Sequence, residues 1–189
     1  MAKSPYDTDL DRNAANFQPL TPLLLLERAA SVFPDHTAII HGSLRRSYAE
    51  FYARARRLAS ALSKRGIKRG DTVAAVLANT PAMLEAHYAA PMIGAVLNPI
   101  NVRLDAPLIA FCLEHGEAKL LLADREFHAT IAPALAKLGR AAPIVVDIAD
   151  AETEGAPRFG GIEYEDFIAT GAADFPWSLP RDPSPQSPP

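Results

Sequence analysis

Hydrophobic and polar positions follow two patterns that alternate along the chain. Continuous apolar runs at 72–78 and 119–123 are typical of strands that are covered on both faces. The segments between such runs carry apolar residues at spacings of three and four, which is the pattern of an amphipathic helix. This alternation predicts an α/β fold with a mostly parallel sheet and helices on both of its faces.

The clearest predicted helix begins at Ser47-Tyr48-Ala49-Glu50. Ser and Glu three residues apart form a capping box, in which each side chain accepts a hydrogen bond from the other residue's amide. Gly66 suits the left-handed turn beyond the end of this helix. The apolar residues that follow the cap share one helix face: Tyr48, Phe51, Ala55, Leu58 and Leu62. Arg54 and Arg57 are predicted to lie on other faces.

Two further helices are predicted to start at Thr21-Pro22 and Thr80-Pro81. A Thr hydroxyl can cap free amides, and Pro at the first helical position loses no hydrogen bond. Asp124 is predicted to cap another helix, which Pro133 interrupts. A short helix is predicted from Tyr164 to Ala169.

Composition limits the classes of function. A net charge of −3 gives no general attraction to nucleic acid or to anionic lipid. The longest apolar stretches, such as 23–26, are far shorter than the ~20 residues that span a bilayer. Residues 1–17 are acidic and lack the apolar block of a secretory signal. The single Cys112 cannot form an intramolecular disulfide and is predicted to be a core thiol. We therefore expect a cytoplasmic chain.

The usual catalytic and metal-binding motifs do not occur in the sequence. No two of the five histidines have the spacing of a zinc-binding helix, and one cysteine forms no sulfur cluster. The glycine-rich fingerprints of nucleotide-binding loops and the Gly-x-Ser-x-Gly elbow are also missing. We assign no catalytic, cofactor-binding or metal-binding residue.

One loop is a candidate substrate crevice. Asn98, Asn101 and Arg103 follow a predicted strand, where ligands bind in open α/β sheets. These side chains could bind a carboxylate or the backbone of another segment. In the alternative interpretation, the two Asn side chains fix a tight strand-to-helix loop and Arg103 pairs with Asp105 or a neighbour.

The order and spacing of four stretches resemble one known family. These stretches include the sequence GIKRGDTVA at 66–74 and the capping box with Phe51. The four stretches are 21–30 with 33–35, 47–51 with 56–59, 66–74 running into 79–87, and 91–105 closed by 113–119. Together they resemble the N-terminal subdomain of AMP-forming acyl-CoA synthetases, the adenylate-forming fatty-acyl or related carboxylate–CoA ligases.

The resemblance implies a two-step reaction for a full-length parent. A carboxylate attacks the α-phosphate of ATP to give acyl-AMP and pyrophosphate, and the thiol of CoA then displaces AMP. ATP, Mg²⁺ and CoA are therefore implied for the parent. The family's phosphate loop, later core motifs and C-terminal domain supply the groups that stabilise charge. None of those motifs occurs in residues 1–189, so no cofactor is implied for this chain.

The expected organisation has three parts. Residues 1–17 are a flexible N-terminus, 18–175 a partial synthetase domain, and 176–189 a disordered proline-rich tail. The tail stands where the family's phosphate loop would approach, which suggests a truncation, a frameshift or an alternative transcript. We expect an N-terminal fragment of an acyl-activating enzyme, inactive alone, whose full-length parent could be peroxisomal.

Two other functions remain open. The chain could be a non-catalytic interaction module that binds the remainder of the synthetase or a full-length paralogue, since a half-sheet with an uncovered edge is adhesive. The tail at 180–189 also contains P-x-x-P matches, the extended form that SH3-type grooves bind.

Overall fold

The structure is a computed structural model that describes Gln18, residues 20–153 and residues 156–178. Helices and strands alternate through these ranges, as the sequence pattern predicts. The helices are α1 (Pro22–Val32), α2 (Tyr48–Lys64), α3 (Pro81–Met92), α4 (Ala106–His115), α5 (His128–Leu138) and α6 (Tyr164–Ala169). The strands are β1 (Thr37–His41), β2 (Leu44–Ser47), β3 (Thr72–Val76), β4 (Val96–Pro99), β5 (Ala118–Asp124), β6 (Ile144–Ile148) and β7 (Ile162–Glu163).

The strands form one parallel sheet and one hairpin. The sheet has the order β4-β3-β5-β6-β7, and every neighbouring pair in it is parallel. Strands β1 and β2 form a separate antiparallel hairpin. The predicted α/β class with a mostly parallel sheet is confirmed.

Alternate residues of a strand point to opposite faces of the sheet. Because the residues on both faces are apolar, helices pack on each of them. Val73 and Leu122 belong to the larger core, which also contains the buried residues of α1, α2, α3 and α6. Ala74 and Leu121 belong to the smaller core, which contains the buried residues of α4 and α5. The half-buried Cys112 packs against this smaller core.

The predicted capping box is confirmed. The Glu50 amide donates to Ser47 Oγ at 3.2 Å, and the Ser47 amide donates to Glu50 Oε2 at 2.7 Å. Gly66 has a φ of +85°, which a glycine adopts without steric cost. The local sequence therefore sets both ends of α2.

Two local predictions about helices are wrong. Thr21 and Thr80 stand at the N-cap positions of α1 and α3, but neither hydroxyl accepts a hydrogen bond from the helix. Both hydroxyl oxygens are buried instead. Pro133 does not interrupt its helix, because α5 runs unbroken from His128 to Leu138. The one hydrogen bond that Pro133 forfeits would reach Ala129 in the first turn, and the fully buried neighbour Ile131 holds the helix on the sheet.

Ordered packing continues past the predicted start of the tail at residue 176. Trp177 Nε1 donates to the Tyr52 hydroxyl at 2.8 Å, and Arg56 Nε donates to the Phe175 carbonyl at 2.9 Å. These bonds attach residues 175–177 to α2. The rest of the predicted tail and the N-terminus at 1–17 lie outside the described residues, so those predictions stand untested. No helix in the described part of the chain is long and apolar enough to cross a membrane.

Candidate functional site

Two adjoining clefts lie where the carboxyl ends of β3 and β6 meet the β1–β2 hairpin. Ligand sites of open parallel sheets commonly occur at this edge. The charged cleft, of about 530 Å³, is bordered by Arg46, Arg54, Asp150, Tyr164 and Glu165 among others. The uncharged groove, of about 610 Å³, is bordered by Pro22, Ala38, Ile39, Ile40, Asn79, Met83, Leu84, His87 and Tyr88. His41, Thr80 and Pro81 border both.

Beneath the charged cleft, a buried carboxylate joins four elements. Glu85 in α3 is fully buried. Its Oε1 accepts a hydrogen bond from Arg46 Nη1 in β2 at 2.7 Å and another from Arg54 Nε in α2 at 2.7 Å. Its Oε2 accepts from the Tyr164 hydroxyl in α6 at 2.5 Å. Because both oxygens of Glu85 are satisfied by protein donors, this network ties the hairpin and three helices together.

The same network changes the acidity of two of its members. Burial opposes the charged form of Arg54, but hydrogen bonds to Glu165 and Glu85 outweigh it and raise the pKa of that guanidinium. Burial, together with the adjacent Glu85 carboxylate, raises the pKa of Tyr164 well above its ordinary value. Arg54 therefore stays charged and Tyr164 stays protonated throughout the physiological range.

At the mouth of the charged cleft, the hairpin is bonded to the loop after β6. His41 Nε2 lies 2.8 Å and 2.9 Å from the two carboxylate oxygens of Asp150. Asp150 Oδ1 also accepts from the Glu152 amide at 3.1 Å. The polar side chains of this cleft thus form most of their hydrogen bonds with one another.

In the uncharged groove, the polar groups have fewer partners. None of the described residues that border it is Asp, Glu, Lys or Arg. Thr80 Oγ1 is buried and has no hydrogen-bond partner among the described residues. The His87 ring bonds through Nδ1 to the Met83 carbonyl at 2.8 Å, and its Nε2 bonds to none of the described residues. The arrangement suits an apolar partner that brings one or two polar atoms.

Among the described residues, neither cleft presents a ready-made metal-ligand group or a glycine-rich phosphate loop. The described residues include no group of three His, Cys, Asp or Glu that could hold a metal ion. The turn from β3 to α3 is Leu77-Ala78-Asn79-Thr80, which has none of the glycines that let a backbone enclose phosphates. Asp124, at the end of β5, is buried and accepts from the Glu126 amide, and burial raises its pKa. Glu126 and Asp150 are near enough to raise that pKa further, but the described residues form no group of three around Asp124 that could hold a metal ion.

The residues of the predicted crevice lie away from both clefts. Asn98 is half-buried in β4, and its Nδ2 lies 3.0 Å from the point where a Cβ on Gly116 would be. Asn101 and Arg103 are exposed in the loop before α4. Asn101 Oδ1 accepts from the Arg103 amide at 2.9 Å, a local turn bond that agrees with the alternative interpretation of this loop. Asp105 caps α4 by accepting from the Leu108 amide at 3.0 Å. A crevice role for these residues stays a prediction.

Sequence reasoning missed Glu85 and placed Arg54 away from the core. The only signal for Glu85 is its position on the helix face of the buried Ala82, Ala86 and Ala89. A carboxylate on such a face needs charged partners, because an unpaired buried charge is strongly disfavoured. Those partners come from β2 and α2, so no local pattern identifies them.

Comparison with known proteins places the chain in a family. The family model described as "AMP-binding enzyme" matches residues 26–186. This chain belongs to the AMP-binding enzyme family. The resemblance on which the sequence prediction rests is therefore confirmed.

Similar curated proteins of this family are plant acyl-CoA ligases. The peroxisomal acetate/butyrate–CoA ligase AAE7 of Arabidopsis thaliana is 43% identical over 185 residues, which cover 92% of this chain and 32% of the relative. The acetate–CoA ligase CCL3 of Humulus lupulus is also 43% identical, with 92% of this chain and 33% of the relative covered. The chain thus spans about a third of the length of these ligases and corresponds to their N-terminal part.

Solved structures give the same result for the fold. The anthranilate–CoA ligase AuaEII in complex with anthranoyl-AMP superimposes with a TM-score of 0.74 at 20% identity, covering 89% of this chain and 32% of that one. The N-terminal domain of FACL13 from Mycobacterium tuberculosis gives a TM-score of 0.67 at 27% identity, covering 82% and 37%. The five-stranded parallel sheet with its helices is therefore part of the N-terminal fold of acyl-CoA ligases.

Proposed function

We propose that this chain is the N-terminal scaffold of an ATP-dependent ligase that joins a short-chain carboxylic acid to CoA through an acyl-AMP intermediate. The observation that carries the proposal is the 43% identity to an acetate/butyrate–CoA ligase across 92% of the chain. A second relative acts on 2-methylpropanoate, according to its name, which is also a short acid. ATP, Mg²⁺ and CoA are the cofactors proposed for the full-length parent.

The role proposed for residues 1–189 is structural. Two observations support this: the polar groups of the Glu85 network bond to one another, and the described residues include no group of three that could hold a metal ion. Charge developing on a transferred phosphoryl group needs preorganised donors and a cation, which the remainder of the ligase would supply. We therefore propose that the chain alone forms no acyl-AMP.

Pyrophosphate exchange tests this proposal directly. The purified chain is incubated with Mg²⁺-ATP, labelled pyrophosphate and acetate, butyrate, 2-methylpropanoate or benzoate. We expect no label to enter ATP with any acid. Intact acetate/butyrate–CoA ligase from Arabidopsis thaliana is the positive control. Acid-dependent exchange by the 189-residue chain would contradict the scaffold role.

A second candidate function, a non-catalytic module that binds a synthetase partner, is favoured by the exposed apolar surface. Ile40, Val96 and Phe111 are 67%, 53% and 58% exposed. The β4 edge of the sheet is poorly suited to pairing with a strand of a partner, however. The backbone amides of Val96 and Ile100 donate toward the β3 side, so the backbone polar groups of Leu97 and Pro99 point away from the sheet. Pro99 has no N–H that could bond to an added strand. A partner would therefore bind through side-chain surface.

A binding experiment with the intact ligase distinguishes the scaffold role from the interaction module. A tagged chain is mixed with full-length acetate/butyrate–CoA ligase and analysed by sedimentation velocity. As an interaction module, it would form a stable complex with the intact enzyme. As a scaffold whose place is already filled in the intact enzyme, it would sediment separately, which is the result we expect.

The compartment is part of the same proposal. We propose the cytoplasm for this chain, because its single thiol fits a reducing environment. Four similar proteins are named as peroxisomal, so the alternative for a full-length parent is the peroxisome. Imaging of the chain fused at its N-terminus to a fluorescent protein tests this, and punctate co-localisation with a peroxisomal marker would contradict it.

A further inference from the structure

From the uncharged groove we infer an interaction surface on which the remainder of the ligase packs, an inference that rests on the proposed function. The groove accepts an apolar segment of that remainder, with a polar atom placed to bond with Thr80 Oγ1. Ile40 and Leu84 are the side chains at the centre of the contact.

The composition of the groove differs from that of the chain as a whole. Asp, Glu, Lys and Arg make up 22% of the chain, yet none of the described residues that border the groove is one of them. Depletion of charged residues, with aromatic and Met side chains present, is the compositional mark of the core of an interface. Met83 and Tyr88 border this groove. The charged cleft beside it shows that the same edge of the molecule readily carries charge elsewhere.

The exposed residues of the groove break the expected pattern of their elements. In β1, Ile39 is buried, and the opposite face of the strand carries the half-buried Ala38 and the exposed Ile40. A strand with one face in water normally carries polar residues on that face. Ile40 is nevertheless apolar and 67% exposed, and Leu84 on α3 is 38% exposed on the border of the same groove. Two large aliphatic side chains on one concave surface indicate that the surface is covered in the assembled enzyme.

Thr80 gives a second, independent indication. The residue is only 7% exposed, and its hydroxyl has no hydrogen-bond partner among the described residues. A buried hydroxyl without a partner destabilises the chain that contains it. Since Thr80 borders the groove, a partner segment that fills the groove can supply the missing hydrogen bond.

The occupant follows from how much of the parent domain is missing. The solved N-terminal domain of FACL13 is one domain, and this chain covers 37% of it. More than half of that domain is therefore additional polypeptide that folds together with the matched part. The plant ligases compared above carry this remainder, since the chain covers only 32% and 33% of their length, so it is the occupant to which we commit.

Co-purification tests the surface. The 189-residue chain is co-expressed with a tagged polypeptide, the part of the acetate/butyrate–CoA ligase of Arabidopsis thaliana that follows its match to this chain. Ile40→Asp and Leu84→Asp each place a charge in the groove. Ile144→Asp is the matched control, because Ile144 is a strand residue, 42% exposed, at the amino end of β6 and so at the opposite edge of the sheet. Urea unfolding of each variant alone confirms that it is folded.

The expected result is that the wild-type chain and Ile144→Asp co-purify with the tagged polypeptide. Ile40→Asp and Leu84→Asp should weaken the association by at least roughly 30-fold, the effect of losing a central contact. Retention of both groove variants at the wild-type level would overturn the inference while leaving the proposed function intact. Failure of the wild-type chain to associate would instead count against the proposed function itself. A wild-type homodimer that Ile40→Asp dissociates, with binding to the tagged polypeptide unchanged, would assign the groove to a second copy and also overturn the inference.

Discussion

The charged cleft and the uncharged groove share three residues, but they differ in whether their buried polar groups have hydrogen-bond partners. Under the charged cleft, both oxygens of Glu85 accept hydrogen bonds from protein donors. In the groove, Thr80 Oγ1 has no partner in the described part of the chain, and Ile40 faces water. A region whose polar groups satisfy one another stabilises the fold. A region with a buried hydroxyl that bonds to none of the described residues and with two exposed aliphatic side chains indicates a surface that another segment covers.

The largest expected effect is the loss of the buried charge under the charged cleft. Glu85→Gln keeps the shape of the side chain but leaves Arg46 and Arg54, whose side chains are only 16% and 15% exposed, without their shared anion. We expect the free energy of unfolding to fall by about 3 kcal/mol, measured by urea denaturation. Glu165→Gln is the control, because Glu165 is 67% exposed and screened by water, and it should cost well under 1 kcal/mol. Equal losses for the two variants would mean that burial of Glu85 is not what makes the network stable.

An intermediate effect is expected from the hydroxyl group in the same network. Tyr164→Phe removes the donor that lies 2.5 Å from Glu85 Oε2, and we expect a loss of about 1–2 kcal/mol at pH 7. The pH dependence gives a second readout. The pKa of Tyr164 is raised in the folded state, so above about pH 10 the unfolded chain releases this proton while the folded chain keeps it. Wild-type stability should therefore fall more steeply with rising pH than that of Tyr164→Phe. Parallel curves above pH 10 would contradict the assignment.

The smallest effect, with the opposite sign, is expected in the groove. Thr80→Val replaces a buried hydroxyl, which bonds to none of the described residues, by a methyl group of similar size. We expect the isolated chain to gain up to about 1 kcal/mol of stability in urea denaturation, because the cost of an unmade hydrogen bond is removed. Ser47→Ala is the matched comparison, since the Ser47 hydroxyl accepts from the Glu50 amide and its removal should cost about 1 kcal/mol. A loss of stability in Thr80→Val would mean that its hydroxyl is satisfied in solution.

The sequence predicted most of the fold because the signals for its elements are local. The capping box at Ser47 and the glycine at Gly66 set the ends of α2, and the apolar run after Asp71 specified a strand covered on both faces. The short helix from Tyr164 to Ala169 was predicted with the bounds that the structure shows. Pro133 misled the prediction, because a proline's cost depends on what the rest of its helix buries.

The candidate site was much less accessible to sequence reasoning. Asn98, Asn101 and Arg103 were chosen because they follow a strand, yet they border neither cleft. Glu85 and Ile40 carry the contrast between the two clefts, and each looks unremarkable among its sequence neighbours. What distinguishes Glu85 is its contact with two arginines 39 and 31 residues away. What distinguishes Ile40 is the direction in which the hairpin turns it.

The sequence by itself determined the class of fold, the family and most element boundaries, because apolar periodicity, caps and turn glycines act over a few residues. Only the tertiary structure decided that Arg46 and Arg54 meet on Glu85, that Trp177 bonds to Tyr52, and that Ile40 and Leu84 share one groove. Those contacts join residues far apart in the chain, and their free energy depends on burial and on the distance between charges. Neither quantity exists until the sheet and its helices have assembled.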